Sequence, residues 1–383
     1  MKELINKLTK KQWLIIGGAV AALLAVLIIV LAVSCSGNND SDDDNDGDQT
    51  PVETEYKLGM GVVVGAEGSV DKGVFQVDST VATVVLEGNK IVACRIDSLQ
   101  NKATVEDGVL TSKNTTSKAE LKENYNMAKY GQSMDWNGDG KVLEWYLQAQ
   151  AFENYVVGMT ATEVAAIATA ATGPMNYVIA TDKALLDAGC TIQIAEFKDA
   201  VVKACNDAQG VTFKTSKAFT LGVAVNGEID KHSDKFAEAT AEKAGAATLF
   251  SEYAATVVVD GKIVAALNDA IQPVLAFNAD NTIGDLTFSA TKRELKENYN
   301  MAKYGQSMDW NKDSKVLEWY LQSMEFSKFV VGMTKDDVLA MGTQVVEGMG
   351  YVISNNADLL AAGCTIQITG MKAVVADAVA NAR

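Results

Sequence analysis

Residues 120–137 and 294–311 are the same eighteen letters, ELKENYNMAKYGQSMDWN. A shift of 174 positions lays 118–208 over 292–382 without a gap, so VVGMT meets VVGMT and AGCTIQI meets AGCTIQI. Upstream, EGNKIVACRIDSLQ (87–100) parallels VDGKIVAALNDAIQ (259–272) at a shift of 172, two residues short of the downstream offset. A chain that repeats itself at this distance must fold its two halves into equivalent units, whatever else it does. The expected division is an anchor at 1–35, an acidic linker at 36–54, repeat unit 1 at 55–210 and repeat unit 2 at 211–383.

Each unit opens with β-branched runs bounded by Gly, Asn and Asp. These are KLGMGVVVG, KGVFQVDSTVATVVLEG and KIVACRID in the first unit, and FTLGVAVNG, SEYAATVVVDG and KIVAALND in the second. Such runs read as antiparallel strands, and DGK at 260–262 is a hairpin turn signal. The second part of each unit reads as helical. Ser117 with Glu120 and Thr291 with Glu294 are capping-box pairs, Leu121, Tyr125 and Ala128 share one helix face, and Gly131 ends the helix. KVLEWYLQAQAFENYVVG, with Val142, Trp145, Ala149, Phe152 and Val156 in register, reads as a second helix. Thr160 with Glu163 starts a third, running to about Ala171, before a short strand TIQI and a closing helix AEFKDAVVKACNDA. The expected fold class is α+β: two tandem repeat units, each an antiparallel sheet followed by helices, behind one N-terminal membrane segment.

That segment is the apolar run at 13–33, roughly 32 Å long as a helix and enough to cross a hydrocarbon core. Four lysines and one glutamate precede it, and six aspartates and no base follow it by residue 50. The positive-inside rule then leaves the bulk of the chain extracytoplasmic, tethered at a cell surface. The run ends in LAVSC, which resembles the lipobox of bacterial lipoproteins, with Cys35 as the lipid anchor. An uncleaved helix is the other reading, and either one makes 36–54 a solvated, self-repelling spacer.

Formal charge is −16, and with +3 in the first twelve residues the remainder carries −19. Nucleic acid and anionic head groups are poor partners for such a surface, whereas cations are good ones. The one histidine, His232, sits in a polar stretch, so multi-imidazole zinc centres are excluded and a Ser-His-Asp set has no convincing base. Cys94, Cys190, Cys205 and Cys364 show no CxxC spacing.

Oxygen-bearing side chains converge in DWNGDGKVLE. Asp135, Asn137 and Asp139 alternate as calcium-loop ligands do, Gly140 supplies the turn, and Glu144 stands where a carboxylate could close the shell. The second copy keeps Asp309, Asn311, Asp313 and Glu318 but has Ser314 at the turn, which weakens that site. Trp136 and Trp310, flanked by Asp and Asn in these loops, are ligand-contact candidates, since a core tryptophan would not be expected there.

Just before the closing helix each copy carries AGCT, at 188–191 and 362–365. Together with the strand-rich opening VDGKIVAA and the closing AGCTIQIAEFKDAVVKACNDA, this resembles the FMN-binding domain of membrane redox subunits and of tandem electron-transfer lipoproteins of Gram-positive bacteria. The resemblance implies that a threonine hydroxyl carries FMN as a phosphoester, which would make Thr191 and Thr365 the acceptors, with Gly189 and Gly363 letting the backbone approach the phosphate. Where that family has Ser-Gly-Ala-Thr this chain has Ala-Gly-Cys-Thr, and the aspartate six residues before the threonine is Leu185 or Leu359. Two functions follow as expectations: a flavin-carrying electron-transfer lipoprotein with a redox or surface-protein partner, or a non-enzymatic, calcium-stabilised surface binding module.

Overall fold

The structure is a computed structural model that describes residues 52–69, 74–106, 109–130, 142–173, 176–208, 210–229, 245–277, 283–287, 290–304, 316–348 and 350–383. The anchor, Cys35 included, and the expected spacer up to residue 51 lie outside these residues, while Thr54, expected at the spacer's end, begins the first strand. Among the described residues no helix is long and apolar enough to cross a membrane.

Residues 52–383 pack as one compact unit. In the first copy β1 (Thr54–Ser69), β2 (Val74–Glu87), β3 (Lys90–Glu106) and β4 (Val109–Asn114) form an antiparallel meander. Short pieces α1 (Lys118–Leu121) and α2 (Met127–Tyr130) follow, then α3 (Trp145–Tyr155), α4 (Ala161–Ala165), a hairpin of β5 (Thr169–Thr172) and β6 (Tyr177–Ala180), α5 (Lys183–Asp187) and α6 (Ala195–Asp207). Strand β7 (Val211–Thr215) then returns to the free edge of β1, so the first sheet reads β4-β3-β2-β1-β7. Residues 211–215 thus belong with the first sheet, because an alternating strand placed directly after α6 finds the unpaired edge of β1 before it reaches the second unit.

The second copy repeats the plan with β8 (Thr220–Ile229), β9 (Gly245–Val259), β10 (Lys262–Ile271), β11 (Val274–Phe277) and β12 (Ile283–Thr287). The strand equivalent to β3 is interrupted here, since Pro273 stands where the first copy has Asn101 and cannot donate to the ladder. Then come α7 (Lys292–Leu295), α8 (Met301–Tyr304), α9 (Trp319–Phe329), α10 (Lys335–Ala340), β13 (Thr343–Val345), β14 (Val352–Ser354), α11 (Ala357–Ala361) and α12 (Thr369–Ala380). The fold class is α+β with antiparallel sheets, and the DGK hairpin turns through Asp260 at φ 50° and Gly261 at φ 76° as the sequence predicts.

Four layers result. Helix α6 packs on β1 and β2, α12 packs on β8 and β9, and the inner faces of the two sheets meet. Leu58, Met60, Val62, Val81, Val85 and Leu99 from the first sheet share a core with Leu221, Val223, Val225, Tyr253, Val257 and Leu267 from the second. The central strands, such as β2 and β9, are therefore buried on both faces, and the two units cover the inner face against each other.

Three expected elements differ. The twin segment is not one helix: Lys122 takes φ 49° and Asn126 φ 59°, which split it into α1, a 3₁₀ turn (Lys122–Tyr125) and α2. The third helix stops at Ala165, and 169–172, expected as its end, pairs as a strand with β6. TIQI makes only a bridge between Ile179 and Gln193 instead of a strand.

Candidate functional site

In each copy the twin segment and AGCT are joined by a glutamine that the sequence reading passed over. Gln148 on α3 is fully buried, and its Oε1 accepts from the Thr191 amide at 2.8 Å and from Thr191 Oγ1 at 3.3 Å. Its Nε2 donates to the Leu143 carbonyl at 2.8 Å and rests 3.6 Å from Met127 Sδ. Gln322 repeats this in the second copy, with 2.8 and 3.2 Å to Thr365, 2.7 Å to Leu317 and 3.6 Å to Met301. A buried amide that satisfies both ends of its dipole rigidifies what it joins.

AGCT is built around this contact. Gly189 at φ 94° and Gly363 at φ 97° end α5 and α11, where a side chain would be strained. A Cβ on Gly189 would lie 2.4 Å from Leu143 Cδ1, and one on Gly363 2.7 Å from Leu317 Cδ1. Cys190 and Cys364 are buried and their thiols are pushed up to about 12 by burial, so they are inert core groups. Thr191 has no exposed surface and Thr365 is 4% exposed. A phosphoester on either hydroxyl would displace the glutamine and part the segment from α3 or α9.

Gln148→Leu should therefore destabilise the chain by about 2 kcal/mol, because the Thr191 amide and the Leu143 carbonyl lose their buried partners without gaining others. Urea unfolding monitored by circular dichroism checks this, and Gln322→Leu should behave alike.

The far side of the hub is a neck. Glu144, the N-cap residue of α3, accepts from the amides of Met127 at 2.8 Å and Ala128 at 3.1 Å, and Glu318 does the same for Met301 and Ala302 at 2.9 and 3.1 Å. Tyr146 donates to Glu123 and Tyr320 to Glu297, each at 2.7 Å. These bonds hold together the two ends of 131–141 and of 305–315. Asp135, Trp136, Asn137, Asp139, Asp309, Trp310, Asn311 and Asp313 lie outside the described residues, as does His232. Among the described residues no three metal-ligating side chains converge.

The twin segment is docked on its sheet by a buried carboxylate in each copy. Asp97 Oδ1 accepts from the amides of Ser98 at 2.7 Å and Ala119 at 3.0 Å, while Asp269 Oδ1 accepts from Ala270 at 2.8 Å and Arg293 at 3.1 Å. Burial pushes both up to about 6 despite these bonds. Beside them Lys118 Nζ stands 5.3 Å from the Tyr125 ring and 5.5 Å from Trp145. Its counterpart Lys292 lies 4.8, 4.9 and 5.2 Å from Phe250, Tyr299 and Trp319. Cation–π attraction of this kind accounts for a lysine only 6% exposed. A signal for all of these groups existed in the sequence: Gln148, Asp97 and Lys118 recur unchanged at their repeat positions amid neighbours that drifted.

Comparison with family models, curated proteins and solved structures returns no match.

Proposed function

We propose that this chain is a membrane-tethered, extracytoplasmic pair of binding modules, duplicated from one ancestral unit, that presents segments 131–141 and 305–315 to a ligand or protein partner. The observation that carries this reading is the pair of bonds joining the residues that flank each segment, whose lengths agree within 0.1 Å between copies. Two copies that have drifted elsewhere keep nine of the eleven residues of this segment, differing only at Gly138/Lys312 and Gly140/Ser314, and keep all the groups that close it. Binding would be non-enzymatic, with Trp136 and Trp310 as contact residues.

Calcium is the organising ion in this reading. Glu144 and Glu318 each use one lone pair per oxygen on backbone amides, and an ionised carboxylate has more to offer a cation. Asp135, Asn137 and Asp139, with their counterparts Asp309, Asn311 and Asp313, would complete the sites, the second more weakly.

The alternative, covalent flavin on Thr191 and Thr365 for electron transfer, requires two buried hydroxyls to leave their glutamine partners, so the binding reading has the better support. One preparation tests both. In the full chain, calcium at a hundredfold excess over its Kd should stabilise by about 2.7 kcal/mol and raise Tm by several degrees over the chelated sample, an increment lost in Asp135→Ala/Asp139→Ala. An unchanged Tm would remove the calcium sites. Flavin fluorescence from the acid-denatured protein on a gel would overturn the binding reading in favour of a redox carrier.

A further inference from the structure

The seam between the copies carries two polar locks, one at the end of each closing helix, and their charges are reversed. At the end of α6, Asp207 accepts from Arg293 Nη1 at 3.1 Å and Nη2 at 3.0 Å, and also from the Met60 amide at 3.0 Å. Beside it Lys203 donates to Glu294 at 2.8 Å. In the Asp207–Arg293 pair the closing helix supplies the acid and the other copy the guanidinium, while the more exposed Lys203–Glu294 pair beside it runs the other way. After α12, Arg383 Nη2 donates to Glu153 Oε2 at 2.7 Å, and Arg95 Nη2 donates to the Asn381 carbonyl at 3.2 Å. Glu153 also accepts from the Ile96 amide at 2.8 Å. In this lock the closing helix supplies the guanidinium and the other copy the acid.

Apart from Glu294, whose counterpart is Glu120, none of these charged residues is duplicated. The repeat partner of Asp207 is Asn381, that of Arg293 is Ala119, that of Glu153 is Ser327, that of Arg95 is Leu267 and that of Arg383 is Gln209. Two first copies facing each other would set Asp207 and Glu153 about Arg95, without either Arg293 or Arg383 to share the two acids. Two second copies would bring together Arg293 and Arg383 without either acid. Glu153 is 3% exposed and has its own Arg95 at 3.4 Å, so losing Arg383 takes away the closer, 2.7 Å, of its two guanidinium partners.

We infer that the inner sheet face of each copy is an interaction surface whose fitting partner is the other copy of this unit and not a like copy, with the two charge-reversed locks as the selecting elements. Apolar packing between the sheets supplies attraction that any copy would share; the locks add repulsion against the wrong pairing, which is how specificity is built when two surfaces are nearly alike. The inference does not rest on the binding reading above.

A charge exchange in the full chain tests it. Asp207→Arg and Arg293→Asp should each lower the urea midpoint, and the double variant should recover at least half of the loss despite the altered bond to Met60. At the second lock, Arg383→Glu should lower the midpoint more than Arg383→Gln, because it places two acids together. A double variant no better than its worse parent, or Arg383→Glu indistinguishable from Arg383→Gln, overturns the inference.

Discussion

Gly222→Ala is expected to destabilise the chain by about 3 kcal/mol or more, and Gly59→Ala by a similar amount. A Cβ on Gly222 would lie 1.9 Å from the Ala378 carbonyl oxygen, and one on Gly59 would lie 2.0 Å from that of Ala204. Those carbonyls belong to α12 and α6, the helices that cover the outer faces of the two sheets. Because the obstacle is helix backbone and not a side chain that can swing aside, each methyl must lift a whole helix off its sheet. Gly65→Ala on the same strand as Gly59 meets nothing within 4 Å and is the control, costing under about 1 kcal/mol. Denaturant midpoints of the three variants decide the matter; equal midpoints for Gly222→Ala and Gly65→Ala would show that α12 does not lie where the structure has it.

Stability is expected to fall as pH rises from about 4 to about 8. Burial pushes Asp97 and Asp269 from 3.8 up to about 6, Glu153 from 4.5 to about 7 and Glu252 from 4.5 to about 8. A carboxyl with a raised folded-state pKa holds its proton more tightly in the fold than in the unfolded chain. Its stabilising contribution is complete below the unfolded value and is lost as pH climbs through the folded one. Each unit of difference corresponds to about 1.4 kcal/mol, so even a fraction of these four shifts moves the balance by several kcal/mol across that window. Exposed carboxylates such as Glu163 and Asp337, held low by their capping bonds, act in the opposite direction, but solvent screens them. Urea midpoints at pH 5 should therefore exceed those at pH 8.5, and Asp97→Asn with Asp269→Asn should flatten the slope. A midpoint that rises with pH would mean these carboxylates are ionised in the fold.

The strand-rich opening, the turn at Asp260 and Gly261 and the closing helix were all legible because each rests on local periodicity or on a residue with special backbone freedom. The break in the twin segment was not. Glu144 caps α2 from seventeen residues away, and a helix face drawn through Leu121, Tyr125 and Ala128 carries no trace of that contact. AGCT was legible as a segment just before the closing helix, yet the position of its threonine depends on Gln148, forty-three residues earlier. Thr80 and Glu196, bonded at 2.8 Å in the first copy, correspond to Glu252 and Gly370 in the second, which looks like drift on the page. In space it is an exchange, since Glu252 Oε2 lies 1.6 Å from where a Gly370 Cβ would stand and so occupies ground a helix side chain would otherwise fill.

From the sequence alone came what depends on order along the chain: two equivalent units, strands before helices, an apolar run ahead of an acidic spacer, and loops rich in oxygen ligands. Tertiary structure decided what depends on partners distant in sequence. It turned the apolar faces of the two sheets toward each other, placed Thr191 and Thr365 in the core, and paired Asp207 with Arg293 and Glu153 with Arg383. Burial and charge pairing are properties of a neighbourhood, and that neighbourhood exists only once the sheets have closed on one another.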